Sequence, residues 1–195
     1  MGLLEPAAVA LTLAAVYLTT RQVIWCWPLG MVSVTLYAAV FFEARLYADM
    51  GLQGLYFALS AYGWWAWLQG GTERDRMAVT RAPQRQRVIL AAAATLGGIA
   101  LGQGLNRFTD ASLPFVDSWL TSFSIAAQWM QTRKLLESWI VWLAVDVCYV
   151  GMFLYKTLYL TAGLYAVFLV LAVMGLAEWR RSMPADALPA SEASS

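Results

Sequence analysis

Four side chains in the segment 138–155 are spaced so that they share one face of a helix. Trp139, Trp142, Asp146 and Tyr149 follow one another at intervals of three, four and three positions. Two indoles, a carboxylate and a phenol therefore lie on the same side. Such a face suits a flat, polar or cationic solute, because indoles stack on rings and attract cations.

The same segment is long and apolar enough to cross a membrane. It contains a single charge, Asp146, near the middle. At about 1.5 Å per residue, a helix of this length spans a hydrocarbon core of roughly 30 Å. A carboxylate at that depth costs on the order of 3 kcal/mol unless it faces a partner or a wet cavity. We therefore expect Asp146 to line a hydrated cavity or, alternatively, to pair structurally with Lys134 or Lys156.

Composition assigns the whole chain to the membrane. Of its 195 residues 61% are hydrophobic and 13% are charged, whereas a soluble domain carries about 25% charged residues. The net charge of +1 gives no reason to expect nucleic acid, and the chain has no histidine, the commonest acid–base group and metal ligand. No catalytic pair or nucleotide motif can be assembled. We expect neither an enzyme nor a cofactor nor a metal site.

The hydropathy pattern predicts an all-α integral membrane protein with seven transmembrane helices. The predicted helices are residues 3–20, 22–42, 50–71, 88–106, 118–132, 138–155 and 157–177. They form one transmembrane domain, 1–181. The remaining tail, 182–195, is rich in Pro, Ser and Ala, and we predict that it is disordered and cytoplasmic.

Loop charges predict the orientation of this domain. One side of the predicted bundle carries ten Lys and Arg side chains, and the other side carries only Arg45, Arg107 and Lys156. Cytoplasmic loops are enriched in positive charge. The C-terminus is therefore expected in the cytoplasm and the N-terminus outside.

The sequence aligns with itself without a gap when Trp27 is placed on Trp139. We call this displacement, 112 positions along the chain, the repeat shift. It also pairs identical residues at Tyr37 and Tyr149, Phe41 and Phe153, Gly63 and Gly175, and Trp67 and Trp179. Helices 1–3, about 3–71, and helices 5–7, about 118–179, are predicted to be copies of one unit. Because three is odd, the linker helix 88–106 makes the copies parallel, and a solute would lie between them near the midplane.

Two more helices carry polar and aromatic stripes at steps of three and four positions. The residues are Asp49, Gln53, Tyr56, Ser60, Gly63, Trp64 and Trp67 in helix 3, and Thr121, Ser124, Gln128 and Gln131 in helix 5. Pointing inward with the helix 6 face, they would line a single cavity. The alternatives are interfacial aromatic belts and polar contacts between helices. In helix 4, Gly98 and Gly102 predict a packing face.

The chain resembles the PnuC family of bacterial vitamin transporters in two long runs. They are WPLGMVSVTLYAAVFFEARLYADMGLQGLYFALSAYGWWAW in helices 2–3 and AAQWMQTRKLLESWIVWLAVDVCYVGMFLYKTLYLTAGLY in helices 5–7. The resemblance implies a SWEET-like 3+1+3 fold in the bacterial inner membrane, a homotrimer surrounded by lipid, and facilitated diffusion. In the commonest branch the solute is nicotinamide riboside, trapped by a cytoplasmic riboside kinase. Other relatives carry thiamine or riboflavin.

The resemblance also implies roles for individual residues. Trp139 and Trp142 would stack on the solute's ring, and Gln53, Tyr56, Gln128 and Asp146 would contact ribose and carboxamide. One departure is Ser138, where many relatives place Asn before the WxxW motif. With Tyr149 and Trp64 added from the stripes, the predicted solute site comprises Trp139, Trp142, Asp146, Tyr149, Gln53, Tyr56, Trp64 and Gln128.

Two other function classes remain as alternatives to a passive transporter. A seven-helix sensor is one, although a parallel three-helix repeat is not its usual plan. The other is a proton-coupled transporter that uses Asp146 as a relay.

Overall fold

The computed structural model describes residues 4–43, 45, 47–70, 77–108 and 113–184. Within these ranges the chain forms seven α-helices. They are α1 (Leu4–Thr20), α2 (Cys26–Glu43), α3 (Tyr47–Gln69), α4 (Gln84–Phe108), α5 (Pro114–Thr132), α6 (Glu137–Tyr155) and α7 (Tyr159–Arg181). The prediction of an all-α protein with seven helices is confirmed.

Length and hydropathy alone qualify four of the described helices, α2, α4, α6 and α7, to cross a membrane. Helix α1 is apolar but only 17 residues long. Helices α3 and α5 carry the two polar stripes, and these side chains lower their mean hydropathy. A multi-pass membrane protein is the conclusion that these helices support.

The first connection differs from the prediction that helix 2 begins at residue 22. Gln22 has a left-handed φ of 55°, which a helix interior does not tolerate. The N–H of Val23 closes the end of α1 by donating to the Leu18 carbonyl oxygen at 2.9 Å, in the manner of a helix C-cap. Helix α2 therefore begins at Cys26, with Pro28 in its first turn, where a missing N–H is harmless.

Positions related by the repeat shift share local geometry as well as sequence. Helix α3 spans 47–69 and α7 spans 159–181, so the shift superposes both of their ends. The described non-glycine residues with positive φ are Gln22, Lys134, Arg45 and Thr157. The same shift places Gln22 on Lys134 and Arg45 on Thr157. The two three-helix segments thus turn at matching points.

Six of the helices form a closed ring in the order α1, α2, α3, α5, α6, α7, in which α7 also packs against α1. Helix α4 contacts α5 and lies outside the ring. The ring places the α6 face and the α3 and α5 stripes around a common centre. The α2 residues that the repeat shift pairs with the α6 face, such as Trp27 and Tyr37, lie around the same centre.

Four indoles, Trp27, Trp67, Trp139 and Trp179, form the centre of a buried cluster at one end of the ring. We call it the tryptophan cluster. Val79, from the connection between α3 and α4, packs in the same cluster and is 1% exposed.

Backbone hydrogen bonds hold the connection between α3 and α4 against the turn between α5 and α6. The N–H of Thr80 donates to the Lys134 carbonyl oxygen at 3.1 Å, and the N–H of Leu136 donates to the Thr80 carbonyl oxygen at 2.9 Å. The N–H of Ala82 donates to Oε2 of Glu137 at 2.9 Å. This part of the connection between α3 and α4 is therefore bound to the bundle.

The packed chain extends beyond the predicted domain end at residue 181. Met183 is buried in the tryptophan cluster, and the Ser182 hydroxyl accepts a 2.7 Å hydrogen bond from Gln22. Residues 182 and 183 of the predicted tail thus pack against the bundle, and its part at 185–195 lies outside the described residues.

Candidate functional site

A cavity of about 570 Å³ lies at the centre of the ring and is lined by residues from all six of its helices. Its wall is mainly apolar and aromatic, with polar side chains from all six helices, including Ser33 of α2 and Thr161 of α7. Concave sites with a few placed polar groups are typical of small-molecule binding. Within the described residues no group of three potential metal ligands occurs.

Seven of the eight predicted site residues line this cavity. They are Trp139, Trp142, Asp146, Tyr149, Gln53, Tyr56 and Gln128. The inward-pointing faces of α3, α5 and α6 therefore meet around one space, as their periodicity indicated.

Trp64 is the eighth predicted residue, and it is not among the lining side chains. It is 38% exposed. On α3 the inward stripe continues from Ser60 to Gly63, which packs against the ring of Trp27. Trp64 is the next residue after Gly63, so the helix rotates it by about 100° away from that contact. We leave it out of the site.

Asp146 is a buried carboxylate that lines the cavity. It is 3% exposed, and in the described part of the chain its side chain has neither a hydrogen-bond donor nor an ion-pair partner. Lys134, one of the two predicted partners, instead donates to Oε1 of Gln22 at 3.1 Å and lies 4.4 Å from the centre of the Trp67 ring. The carboxylate is therefore directed at the cavity.

Trp139, predicted to stack on the solute, is also tightly packed against α7. It is 1% exposed and meets Trp179 edge-to-face, with ring centroids 5.4 Å apart. A Cβ added to Gly175 would come within 2.5 Å of its ring. Trp27 has the same setting, with Trp67 at 5.3 Å and Gly63 against its ring. Both indoles form the floor of the cavity at the tryptophan cluster.

Trp142 is the indole of α6 that has no aromatic counterpart in α2. The repeat shift pairs it with Gly30, which also lines the cavity. Trp142 is only partly buried. It lies one turn from Asp146 on the same helix face, so an indole and a carboxylate are adjacent in the wall.

Two aromatic lining residues of α7 were missed by the sequence analysis. Tyr165 lies 4.6 Å from Tyr149, centroid to centroid, and 5.7 Å from Phe168. The repeat shift maps Gln53 onto Tyr165 and Tyr56 onto Phe168. Applying the repeat to the α3 stripe would have found both.

Ser138, the departure from the Asn of many relatives, is fully buried and is not a lining residue. Its counterpart under the repeat shift, Cys26, does line the cavity. The wall next to the WxxW motif is therefore formed by the indoles and not by the residue that precedes them.

Comparisons with known proteins agree with a binding cavity in a membrane bundle. The family model described as nicotinamide mononucleotide transporter matches residues 2–181. The nicotinamide riboside transporter PnuC of Escherichia coli K12 is 25% identical over 178 residues, which cover 78% of this chain and 74% of PnuC. The riboflavin/roseoflavin transporter RibM of Streptomyces davaonensis is 26% identical over 176 residues, which cover 88% of this chain and 82% of RibM.

A solved structure has the same fold. The crystal structure of the vitamin B3 transporter PnuC superposes with a TM-score of 0.72 and 23% identity, covering 91% of this chain and 80% of that chain. The relatives are named as transporters, in agreement with the prediction that this chain is not an enzyme. The chain belongs to the nicotinamide mononucleotide transporter family, and the resemblance to PnuC proteins is confirmed.

Proposed function

We propose that this protein carries nicotinamide riboside across the bacterial inner membrane by facilitated diffusion. The observation that carries the proposal is Asp146, a buried carboxylate without a protein partner in the described residues, next to Trp142 in the cavity wall. Nicotinamide riboside contains a positively charged pyridinium ring. Such a ring would stack on Trp142 and neutralise the carboxylate, which removes the penalty of leaving that charge alone in the membrane.

The remaining wall offers polar contacts for the rest of the solute. Gln53 and Tyr56 come from α3, and Gln128 comes from α5. These amides and the phenol would bond the ribose hydroxyls and the carboxamide. Tyr149 and the Trp139 floor would enclose the solute from the α6 side.

We further propose that all seven helices cross the membrane and form a SWEET-like 3+1+3 arrangement of parallel repeats. Two hydrogen bonds between the halves support it. The indole N–H of Trp67 donates to the Gln131 carbonyl oxygen at 3.2 Å, and that of Trp179 donates to the Thr19 carbonyl oxygen at 3.0 Å. The repeat shift places Trp67 on Trp179 and Thr19 on Gln131, so the two hydrogen bonds are equivalent. Such reciprocity is expected of halves related by a two-fold axis along the membrane normal.

Transport by this chain is proposed to be uniport, with accumulation driven by a cytoplasmic riboside kinase. The described lining contains two acidic residues, Glu5 and Asp146, and no cluster suited to a metal ion. In proteoliposomes, uptake should therefore be unchanged by imposed proton or sodium gradients. Gradient-driven accumulation of unmodified solute would contradict uniport and favour a proton relay at Asp146. As in the family resemblance, we propose a lipid-embedded homotrimer.

Riboflavin is the second candidate solute, because RibM matches a larger share of this chain than the Escherichia coli PnuC does. Thiamine, with its cationic thiazolium ring, is a third. The charge of Asp146 separates them: it favours the two cationic solutes over neutral riboflavin.

Calorimetric titration of purified variants with the three vitamins tests the proposal. Trp142→Ala should weaken nicotinamide riboside about tenfold, corresponding to roughly 1–2 kcal/mol of cation–π contact, and Trp142→Phe should recover part of the loss. Asp146→Asn should weaken cationic solutes and spare riboflavin.

Trp64→Ala is the matched control, since this indole lies outside the cavity, and its affinity should equal that of the wild type. If Trp142→Ala and Asp146→Asn keep full affinity for all three vitamins while their melting temperature falls, these residues serve packing and the proposed site is wrong.

A further inference from the structure

Helices α2 and α6 oppose each other across the cavity. Their cavity faces share a tryptophan and a tyrosine at matching positions but differ at two positions between them. Trp27 and Tyr37 of α2 match Trp139 and Tyr149 of α6, and all four residues line the cavity. Between them, α6 carries Trp142 and Asp146, whereas α2 carries Gly30 and Val34 at the same register, likewise in the lining. One half of the wall therefore has an indole and a carboxylate, and the other half has an open position and an apolar one.

Packing does not explain the glycine at position 30. A Cβ built on Gly30 has one neighbour within 4 Å, Oγ of Ser60 at 3.9 Å, which is an ordinary contact. At Gly63 and Gly175 the added atom would lie 2.4 Å and 2.5 Å from an indole carbon. Those two glycines are needed for close packing, but Gly30 is not. Glycine also weakens a helix interior relative to alanine. Gly51 and Gly151 have similarly open surroundings, but of these three glycines Gly30 is the one that lines the cavity.

We propose that Gly30 is the residue that determines which size of solute the cavity accepts. This rests on the proposed function, in which the charged ring lies against Trp142 and Asp146. The absent side chain at position 30 then leaves room on the α2 side for the rest of the molecule. Val34, one turn further along α2, carries no charge where α6 has Asp146 at the same register. The cationic ring therefore faces α6, and the uncharged part of the solute faces α2.

The test is the affinity of Gly30→Ala, Gly30→Val and Gly30→Leu for nicotinamide riboside, thiamine and riboflavin, measured by calorimetry on monodisperse protein. For the vitamin that the wild type binds most tightly, the loss should grow with side-chain size and reach at least tenfold in Gly30→Leu. Where the wild type binds several vitamins, the larger one should lose more. Gly151→Leu is the control, because a Cβ there meets nothing within 4 Å and the residue is not in the lining. It should bind like the wild type.

Wild-type affinity, within twofold, in folded Gly30→Leu would overturn the proposal. If Gly30→Leu does not fold, Gly30→Val is held to the same tenfold expectation. Failure of both to fold, with Gly151→Leu folded, would also overturn it, because Gly30 would then serve packing. Trp142→Ala and Asp146→Asn are titrated in parallel. If they keep full affinity, the proposed site itself fails; if they lose affinity and Gly30→Leu does not, only the size role of Gly30 fails.

Discussion

The side-chain amine of Lys134 donates a 3.1 Å hydrogen bond to Oε1 of Gln22, its counterpart under the repeat shift. Both residues have a left-handed φ, 49° and 55°. Equivalent points of two halves can touch only on the axis that relates them. Under the proposed repeat, this contact marks the axis at one end of the cavity. Trp67 and Trp179 are another equivalent pair, and their ring centroids lie 6.2 Å apart in the neighbouring tryptophan cluster.

This contact predicts that Gln22 helps to close the cavity at that end. In a Cys148→Ser background, Cys26 is the remaining thiol; it lines the cavity near the contact and is buried. Gln22→Ala should make Cys26 react faster with a membrane-impermeant maleimide in vesicles that expose this end, because the link between the halves is lost.

Gln69→Ala, at the exposed end of α3, is the control for that labelling and should react like the parent protein. Equal labelling rates in Gln22→Ala and Gln69→Ala would show that the contact does not hold the end closed.

Gly98 and Gly102 should prove essential for packing α4 against α5. A Cβ at Gly98 would lie 2.6 Å from Cδ1 of Trp119, and one at Gly102 would lie 2.5 Å from Cδ1 of Phe115. Gly98→Leu or Gly102→Leu should lower the free energy of unfolding by about 1–3 kcal/mol or more, because extra atoms in a packed contact are destabilising. Gly104→Leu, at a position where an added Cβ has no neighbour within 4 Å, should not. A large loss of vitamin affinity in folded Gly98→Leu would instead connect α4 to the solute site.

Gly63→Ala and Gly175→Ala should destabilise the protein by similar amounts. Each added methyl would overlap an indole, that of Trp27 or that of Trp139, in matching surroundings. We expect each to lower the melting temperature, with a cost of about 1–3 kcal/mol. Gly51→Ala, with open space around its Cβ, serves as the control. A clear difference between the two losses would indicate that the two halves pack differently.

We predict that the end of the bundle with the tryptophan cluster faces the cytoplasm, because positive charges flank it. Arg21, Arg133, Arg180 and Arg181 lie at the helix ends there, and cytoplasmic loops carry such an excess. A C-terminal fluorescent protein should therefore be fluorescent in the cytoplasm, and a phosphatase fused at the same place should be inactive. An active phosphatase would show that the predicted orientation or the predicted number of membrane crossings is wrong.

The sequence by itself determined the helices and their inward faces. Spacings of three and four positions place Trp139, Trp142, Asp146 and Tyr149 on one side of any α-helix, because the backbone repeat is the same everywhere. The repeat shift, applied to the α3 stripe, is likewise sufficient to identify Tyr165 and Phe168, which the predicted site had left out. Such properties are local, so residue order is sufficient to predict them.

Only the tertiary structure decided which inward faces meet and which glycines have space. The ring order sets α3 beside α5 and α7 beside α1, and a hydropathy pattern carries no information about neighbours. Trp64 falls outside the cavity, although it extends the same stripe as Ser60. Gly30, Gly63 and Gly175 are identical letters in the sequence, yet an added Cβ is tolerated at the first and would overlap an indole at the other two. The difference lies in the distance to another helix, which depends on contacts remote in the chain.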